Sequence, residues 1–504
     1  MITLSILLAL VLGLIGYIAY SMRQSLSYWQ QLGIPCEEPD SKSGNITGLG
    51  STRSFADIWL HTYKKFKGTG PFCGFYWGRG ANVFVLTPEL AKLVLIKDFN
   101  KFTDRGFYTN VKHDPLSGQL FLLDGHKWRS MRSKLSPTFT SGKMKLMYPV
   151  IVRVGEELTN MFAKMQKEDP VIEVKELLAR FTTDVIGTCA FGIECNSLKD
   201  PNSEFRVMGR KALTDVRFGP YARFFVNTFP NLARFLRVKM VPDHITDFYM
   251  RIVRENIEYR EKNNIRRNDF FDMLLDLKNN KLMKSEDGQS MSITVEELAA
   301  QAYVFLIAGF ETSSTTLSFA LYELAQHQDV QDRARQEINE VLERHDGQFT
   351  YECMSEMVYL NQIISETLRL YTVLPVLNRK SLVDYPVPGH PKYVIKKNMK
   401  VLIPVGAMHR DPDLYPNPDV FNPDNFAPEK VAKRDCIEFL AFGEGPRNCI
   451  GMRFGQMQVR VGLAYLLKNF KFSVCDKTPI PMQYNLASYL VSSKSGIYLR
   501  VDKV

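Results

Sequence analysis

No two of the eight cysteines form a C-x-x-C pair, and they are scattered over 504 residues. That spacing excludes a disulfide framework, which belongs to small secreted chains with dense cysteine. It also excludes zinc ribbons and fingers, whose ligands come in close pairs. Runs of like charge are missing too, so nucleic acid is not an expected partner. Internal repeats and low-complexity tracts are absent, which sets aside solenoids and compositionally biased segments. Before Arg23 there is no charged side chain at all.

What is present reads as a large globular body with an apolar leader. Hydrophobic residues make up 45% and charged residues 23%, ordinary values for a packed domain. A chain of 504 residues can bury one oversized core or two. Lys plus Arg number 64 against 54 acids, and this excess suits a membrane surface or an acidic protein. MITLSILLALVLGLIGYIAYSM, 22 residues, spans roughly 33 Å as a helix, enough to cross a hydrocarbon core. A cleaved signal would carry a basic start and a shorter apolar run. Residues 1–22 are therefore expected to be an uncleaved anchor, 23–45 a polar, proline-containing hinge and 46–504 the globular body. Arg23, Lys42 and Arg53 follow the leader and leave the body on the cytosolic side.

The apolar spacing of the body is mostly helical, with strand-like runs near its edges, so the expected class is mainly α with small β-sheets. Val394–Val405 looks like a hairpin about Lys397-Asn398. Thr294-x-x-Glu297 is a capping box, and Ile293 with Leu298 can form its hydrophobic staple. Only Gly309 interrupts the run from there to His327. Between Leu298 and Tyr322 the single charged residue is Glu311, and a lone buried carboxylate must be paired or protonated. Thr312 beside it can bond back to the Ala308 carbonyl and loosen that turn. The pair reads either as a tolerated polar patch or as a proton relay beside a small-residue notch.

FGEGPRNCIG, Phe442 to Gly451, sets Cys449 among three glycines, just ahead of a helix. A helix N-terminus favours thiolate. Zinc would need three more ligands, and none lie near in sequence. A cysteine nucleophile would need a base, for which His409 is a candidate without a surrounding signature. An axial ligand of haem needs one sulfur and nothing more.

The same ten residues resemble the haem-binding signature of the cytochrome P450 family, Phe-x-x-Gly-x-Arg-x-Cys-x-Gly, at every fixed position. AGFET (Ala308 to Thr312) resembles that family's oxygen-binding turn. Glu366 and Arg369 match its Glu-x-x-Arg pair, and Trp128 and Arg132 its Trp-x-x-x-Arg. The four motifs come in the family's order, and the likeness is strongest to microsomal insect members that oxidise foreign apolar compounds. One position departs: in the meander, Asn425 stands where the family usually has an arginine beside Glu366 and Arg369.

The resemblance implies a long central helix over haem b, with Cys449 as the axial thiolate and metal ligand. It makes Trp128, Arg132, Ala308, Arg379, Phe442, Arg447 and Gly451 cofactor contacts, with Arg132, Arg379 and Arg447 facing the propionates. Glu311 and Thr312 become the catalytic proton-delivery pair, and Glu366 with Arg369 a structural pair. The implied reaction inserts one atom of O₂ into a lipophilic substrate, a xenobiotic, hormone or fatty acid, in a pocket near Phe305, Ala308, Val373, Leu374 and Val491. Electrons would come from NADPH through a membrane-bound flavoprotein reductase, with cytochrome b5 as a possible second donor, on the endoplasmic reticulum. Two alternatives stay open: a reductase-independent isomerase or dehydratase, and a non-catalytic haem binder or sensor. Lys127 and Lys134 share one face of the Trp128 helix and suit an acidic reductase. From Val216 to Pro242 basic and aromatic residues alternate without an acid, which suits a membrane surface.

Overall fold

Thr294 starts the helix on which the others are arranged. In the computed structural model, which describes residue 13 and residues 24–279 and 292–504 except 216, 219–224 and 227, that helix runs Val295–Gln326. Both halves of its capping box are made: Thr294 Oγ1 accepts the Glu297 N–H at 3.1 Å, and Glu297 accepts the Thr294 N–H at 3.0 Å. The expected anchor over 1–22 lies, Gly13 apart, outside the described residues.

The chain is mainly helical, 53%, with small sheets. The helices that matter for the site are α1 Tyr28–Gln31, α2 Phe55–Phe66, α3 Gly125–Leu135, α4 Ser141–Glu168, α5 Val174–Ile186, α6 Val295–Gln326, α7 Val358–Leu370 and α8 Met452–Asn469. The strands are β1 Phe72–Trp77, β2 Gly80–Val85, β3 Val171–Glu173, β4 Leu377–Lys380, β5 Tyr385–Val387, β6 His390–Ile395, β7 Lys400–Ile403, β8 Phe470–Ser473 and β9 Tyr498–Lys503. They form sheets of order β1-β2-β7-β4, β3-β9-β8 and β5-β6. One large core surrounds the helices, and a second lies against the four-stranded sheet.

With a mean hydropathy of 1.3, α6 is apolar enough to cross a membrane, but it runs through the larger core packed on α5, α7 and α8. Most of its hydroxyl cluster turns back onto the helix backbone, while Thr315 Oγ1 is buried without a partner among the described residues. Thr316 donates to the Thr312 carbonyl at 2.8 Å and Ser318 to that of Ser314 at 2.6 Å, as buried helical hydroxyls do when no other acceptor is near.

Two local expectations change. Val394–Val405 is no hairpin: β6 pairs with β5, while β7 enters the other sheet between β2 and β4. The reason is burial. Val401, Leu402 and Ile403 are all apolar and buried, and a strand with two apolar faces needs neighbours that a two-stranded ribbon cannot supply. The segment read as a hinge is packed down. Trp29 of α1 is fully buried over Gly74, where any Cβ would strike the indole, and Cys36 bridges to Gly74.

Below α6, a buried polar network ties α7 to the chain that leads into the cysteine loop. Arg369 donates to Glu366 at 2.7 and 2.8 Å and to the carbonyls of His409, Pro418 and Val420. Glu366 also accepts the Asn422 N–H at 2.8 Å and the Asn425 amide at 3.1 Å. His409, weighed above as a nucleophile's base, is committed here. Its Nε2 accepts the Leu440 N–H at 2.9 Å, so Nδ1 carries the proton toward Thr372 Oγ1, also at 2.9 Å.

Burial, then the charges of Arg369 and Arg434, push His409 down to about 3. Unfolded, it titrates near 6.5. Its contribution is therefore complete above about pH 6.5 and is lost as the unfolded state takes up a proton on the way down toward about 3. Thermal midpoints of wild type and His409→Asn, compared from pH 7 to 4.5, should show a lower midpoint at pH 7 and a flatter acid slope in the variant. Parallel slopes would show that His409 does not couple protonation to folding.

Candidate active site

The cysteine loop is shaped by what its backbone must approach. Gly445, at φ +73°, has no room for a side chain because a Cβ would collide with the Leu95 carbonyl. Cys449 N–H closes the loop on the Phe442 carbonyl at 2.8 Å. Asn448, one residue before, is gripped by Arg132 of α3, which donates to its carbonyl at 2.9 Å and to Oδ1 at 2.8 Å. The Cys449 side chain is exposed, yet it opens onto interior space rather than the molecular surface. Helix α8 begins only at Met452, and the thiol does not gain the lowered value expected from a helix start. Burial pushes it up, against the Gly451 N–H and the charges of Arg132 and Arg105.

Helix α8 lies directly on α6. Gln458 donates to the Gly309 carbonyl at 3.1 Å, and the Gly455 Cα is beside Ser313. This brings the helix that follows the cysteine loop against the turn Ala308–Thr312. Ala308 is exposed although its helix neighbours Leu306 and Phe310 are buried. Three successive carbonyls of that turn are claimed by side chains: Ala308 by Thr312 at 2.6 Å, Gly309 by Gln458, and Phe310 by Thr182 at 2.9 Å. Gly309 itself is filled by Ile186 of α5, so its missing side chain serves helix packing and not a ligand notch.

Glu311 does not stay alone. Its carboxylate meets Lys175 of α5 at 3.4 Å, with side chains 17% and 23% exposed, so the only charge in the middle of α6 is paired at the edge of the solvent. Sequence spacing held no sign of Lys175, whose approach depends on the α5–α6 crossing.

The chemistry of the remaining wall is positive. Arg105, Arg132, Arg379 and Arg447 converge; Asp104 and Asp124 act on them, with Asp124 3.5 Å from Arg447, and Cys449 acts on Arg132. Burial and then Arg447 push Arg379 down to about 9, and burial lowers Arg447 to about 10. Arg105 is lowered by burial and then by Arg379 and Arg447. Arg379 Nε and Arg447 Nε and Nη1 are buried donors without a partner among the described residues. Trp128 is buried beneath Arg447, whose guanidinium lies 4.2 Å from the ring centre, so the indole seats a cation. Arg105 was missed in the sequence because it sits in an irregular loop with no periodicity to assign it a face.

The pocket residues divide. Val373 and Val491 are joined by a 3.0 Å backbone hydrogen bond, with Leu374 half-buried beside them. Phe305 is held edge-on by Phe270 at 4.1 Å and Phe139 at 5.3 Å. The Asn378 amide donates to Tyr489 at 2.9 Å, a polar pair that composition did not suggest.

A cytochrome P450 family model matches residues 39–501, and the chain belongs to that family. Cytochrome P450 6a9 of Drosophila melanogaster is 63% identical to it over 500 residues, 99% of each chain. Cytochrome P450 6a2 of the same fly is 50% identical over 99% of this chain and 100% of its own. Cytochrome P450 6A1 of Musca domestica is 48% identical over 98% and 97%. Members of the family are monooxygenases that carry haem on a cysteine thiolate. The residues present fit that group: buried arginine donors without partners among the described residues are what two propionates require, and one exposed sulfur lies within reach of the charges of Arg132 and Arg105.

Arg379→Met separates binding from structure. In the haem-free chain it relieves repulsion, so the thermal midpoint should hold or rise; in the haem-loaded protein it should fall, with haem loss about tenfold faster. A drop of equal size in both forms would show that Arg379 only supports the fold.

Proposed function

We propose that the chain is an NADPH-dependent monooxygenase of the endoplasmic reticulum, with Cys449 as the axial ligand, acting on lipophilic small molecules. The observations that carry this reading are the exposed Cys449 in a loop gripped by Arg132, the packing of α8 on the Ala308–Thr312 turn, and the buried donors of Arg379 and Arg447 without partners among the described residues. When bound, haem supplies the activation of O₂, helped by electron density from a thiolate ligand. The chain's own residues do the rest. Arg105, Arg132, Arg379 and Arg447 hold anionic groups, and Arg132 also fixes the loop through Asn448. Thr312 carries a proton at Oγ1 that is now given to the Ala308 carbonyl, and a small rotation turns it into the open space. Glu311, held by Lys175 at the edge of solvent, is placed to replace that proton. Val373, Leu374 and Val491 offer apolar walls that exclude water from it.

The electron donor is a flavoprotein reductase, with cytochrome b5 as an auxiliary, meeting the face around α3. Lys127 is exposed there, whereas Lys134 is half-buried and donates to the Ser292 carbonyl at 3.0 Å, so Lys127 is the stronger docking residue. Phe229, Leu232, Phe235 and Leu236 form an exposed apolar patch flanked by Arg237 and Lys239, with Phe235 80% exposed. This supports a second membrane contact beside the anchor. Tyr221, Arg223 and Phe224 of the same stretch lie outside the described residues. Attachment is then single-pass, with a peripheral contact on the cytosolic side.

With reductase and an apolar substrate, Thr312→Ala should slow product formation about tenfold or more while NADPH oxidation falls far less. Glu311→Gln should slow both. A non-catalytic haem binder would consume no NADPH in any variant, and unchanged product ratios would reduce the pair to helix packing. Deletion of residues 1–22 should leave binding to anionic vesicles that salt weakens and that Phe235→Ser reduces. A deletion variant that ignores vesicles at low salt would contradict the second contact.

A further inference from the structure

The segment around Asn425 shows where a missing charge has gone. Glu366 and Arg369 are fully buried, and Asn425 keeps a bond to Glu366 but adds no charge. Nine residues later, Arg434 turns back into the same cluster. It donates to the Asn425 carbonyl at 2.7 Å, and its guanidinium lies 4.6 Å from the Phe426 ring centre and 4.9 Å from that of Tyr415. Arg369 lies 5.0 Å from the same Tyr415 ring, so one aromatic side chain carries both cations. The Arg434 side chain is 11% exposed, with Glu438 at 3.8 Å from Nε and Nη1 without a partner among the described residues. An arginine withdrawn from water against two rings is held more strongly than one at the surface.

Its contacts lead to the cysteine loop. Tyr415 donates to the Glu438 carbonyl at 2.8 Å, and Phe426 packs on Phe439 at 4.8 Å. Phe439 stacks on His409, whose Nε2 holds the Leu440 N–H. Leu440 in turn accepts the Gly443 N–H at 2.8 Å, inside the loop that ends at Cys449.

We propose that Arg434 is a positioning residue for the cysteine loop, supplying from the far end of the segment the positive charge that Asn425 lacks. The inference rests on Cys449 as the iron ligand. Glu366 is paired with Arg369, Arg434 adds its cation beside them on the Tyr415 and Phe426 rings, and the aromatic trio Tyr415, Phe426 and Phe439 transmits that order to the loop.

The test follows the thiolate-specific red-shifted absorption of the ferrous–CO complex in full-length, haem-loaded protein during incubation at fixed temperature. Arg434→Met keeps the stem and removes the charge, and should lose that absorption at least about tenfold faster, the rate equivalent of about 1.4 kcal/mol. Asn425→Arg restores an arginine at the family's usual position. Combined with Arg434→Met it should recover most of the loss, which a local packing defect at 434 would not allow. Decay of Arg434→Met at the wild-type rate overturns the proposal, as does failure of the double variant while Asn425→Arg alone is sound. If Arg434→Met does not fold, a folded double variant with the signature supports the proposal and an unfolded one overturns it. Absence of the signature from the unaltered protein would instead overturn the ligand reading.

Discussion

Four converging guanidiniums, two buried and two half-buried, with two carboxylates among the groups that act on them, are the condition to which this fold is built. Arg105 is lowered by Arg379 and Arg447, and Arg379 by Arg447, and donors on Arg379 and Arg447 are buried with no partner among the described residues. A cluster of that kind is costly by itself, because like charges repel in a poorly screened interior. It becomes favourable when two anionic groups enter, each able to take a forked pair of donors. The elements around it share this purpose. Trp128 seats Arg447, Arg132 grips Asn448, and the glycine at 445 lets the loop pass against Leu95. Two anionic groups would give these residues the partners their buried donors lack.

The opposite wall meets a different demand. A helix that must cross the core cannot also expose a charge, and α6 resolves this by pairing Glu311 with Lys175 where both are partly wet. The backbone of that turn is less regular in its bonding than its helical path suggests, since three adjacent carbonyls accept side-chain donors. Such carbonyls share their acceptor capacity, which weakens the local ladder and lets Thr312 exchange partners. Below, the network of Glu366, Arg369 and His409 holds the loop's approach in one arrangement and contributes no group to the interior space.

Much of this was legible because local chemistry determined it. The capping box at Thr294 and Glu297 set the start of α6, and helical spacing put Trp128 and Arg132 on one side of α3. The cysteine loop declared itself by its glycines and lone sulfur. What could not be read depends on distant contacts. Arg105 joins the cluster from an irregular loop, Lys175 reaches Glu311 through the crossing of two helices, and β7 leaves β6 for a sheet assembled from remote strands. Asn425 looked like a lost charge. Only the fold brings Arg434 back to it. At Cys449 helix position favours a lower value, whereas burial, which sequence does not display, raises it.

The proposed function turns on one bond, from Cys449 to the iron of a haem that the arginine cluster would hold. Its most direct test is the ferrous–CO spectrum of Cys449→Ser and Cys449→His protein, reconstituted with haem and checked for folding by circular dichroism. Folded variants that have lost the thiolate-specific red-shifted absorption would bear the account out. A variant that kept that absorption would contradict it, because no thiolate at 449 would then be needed to produce it.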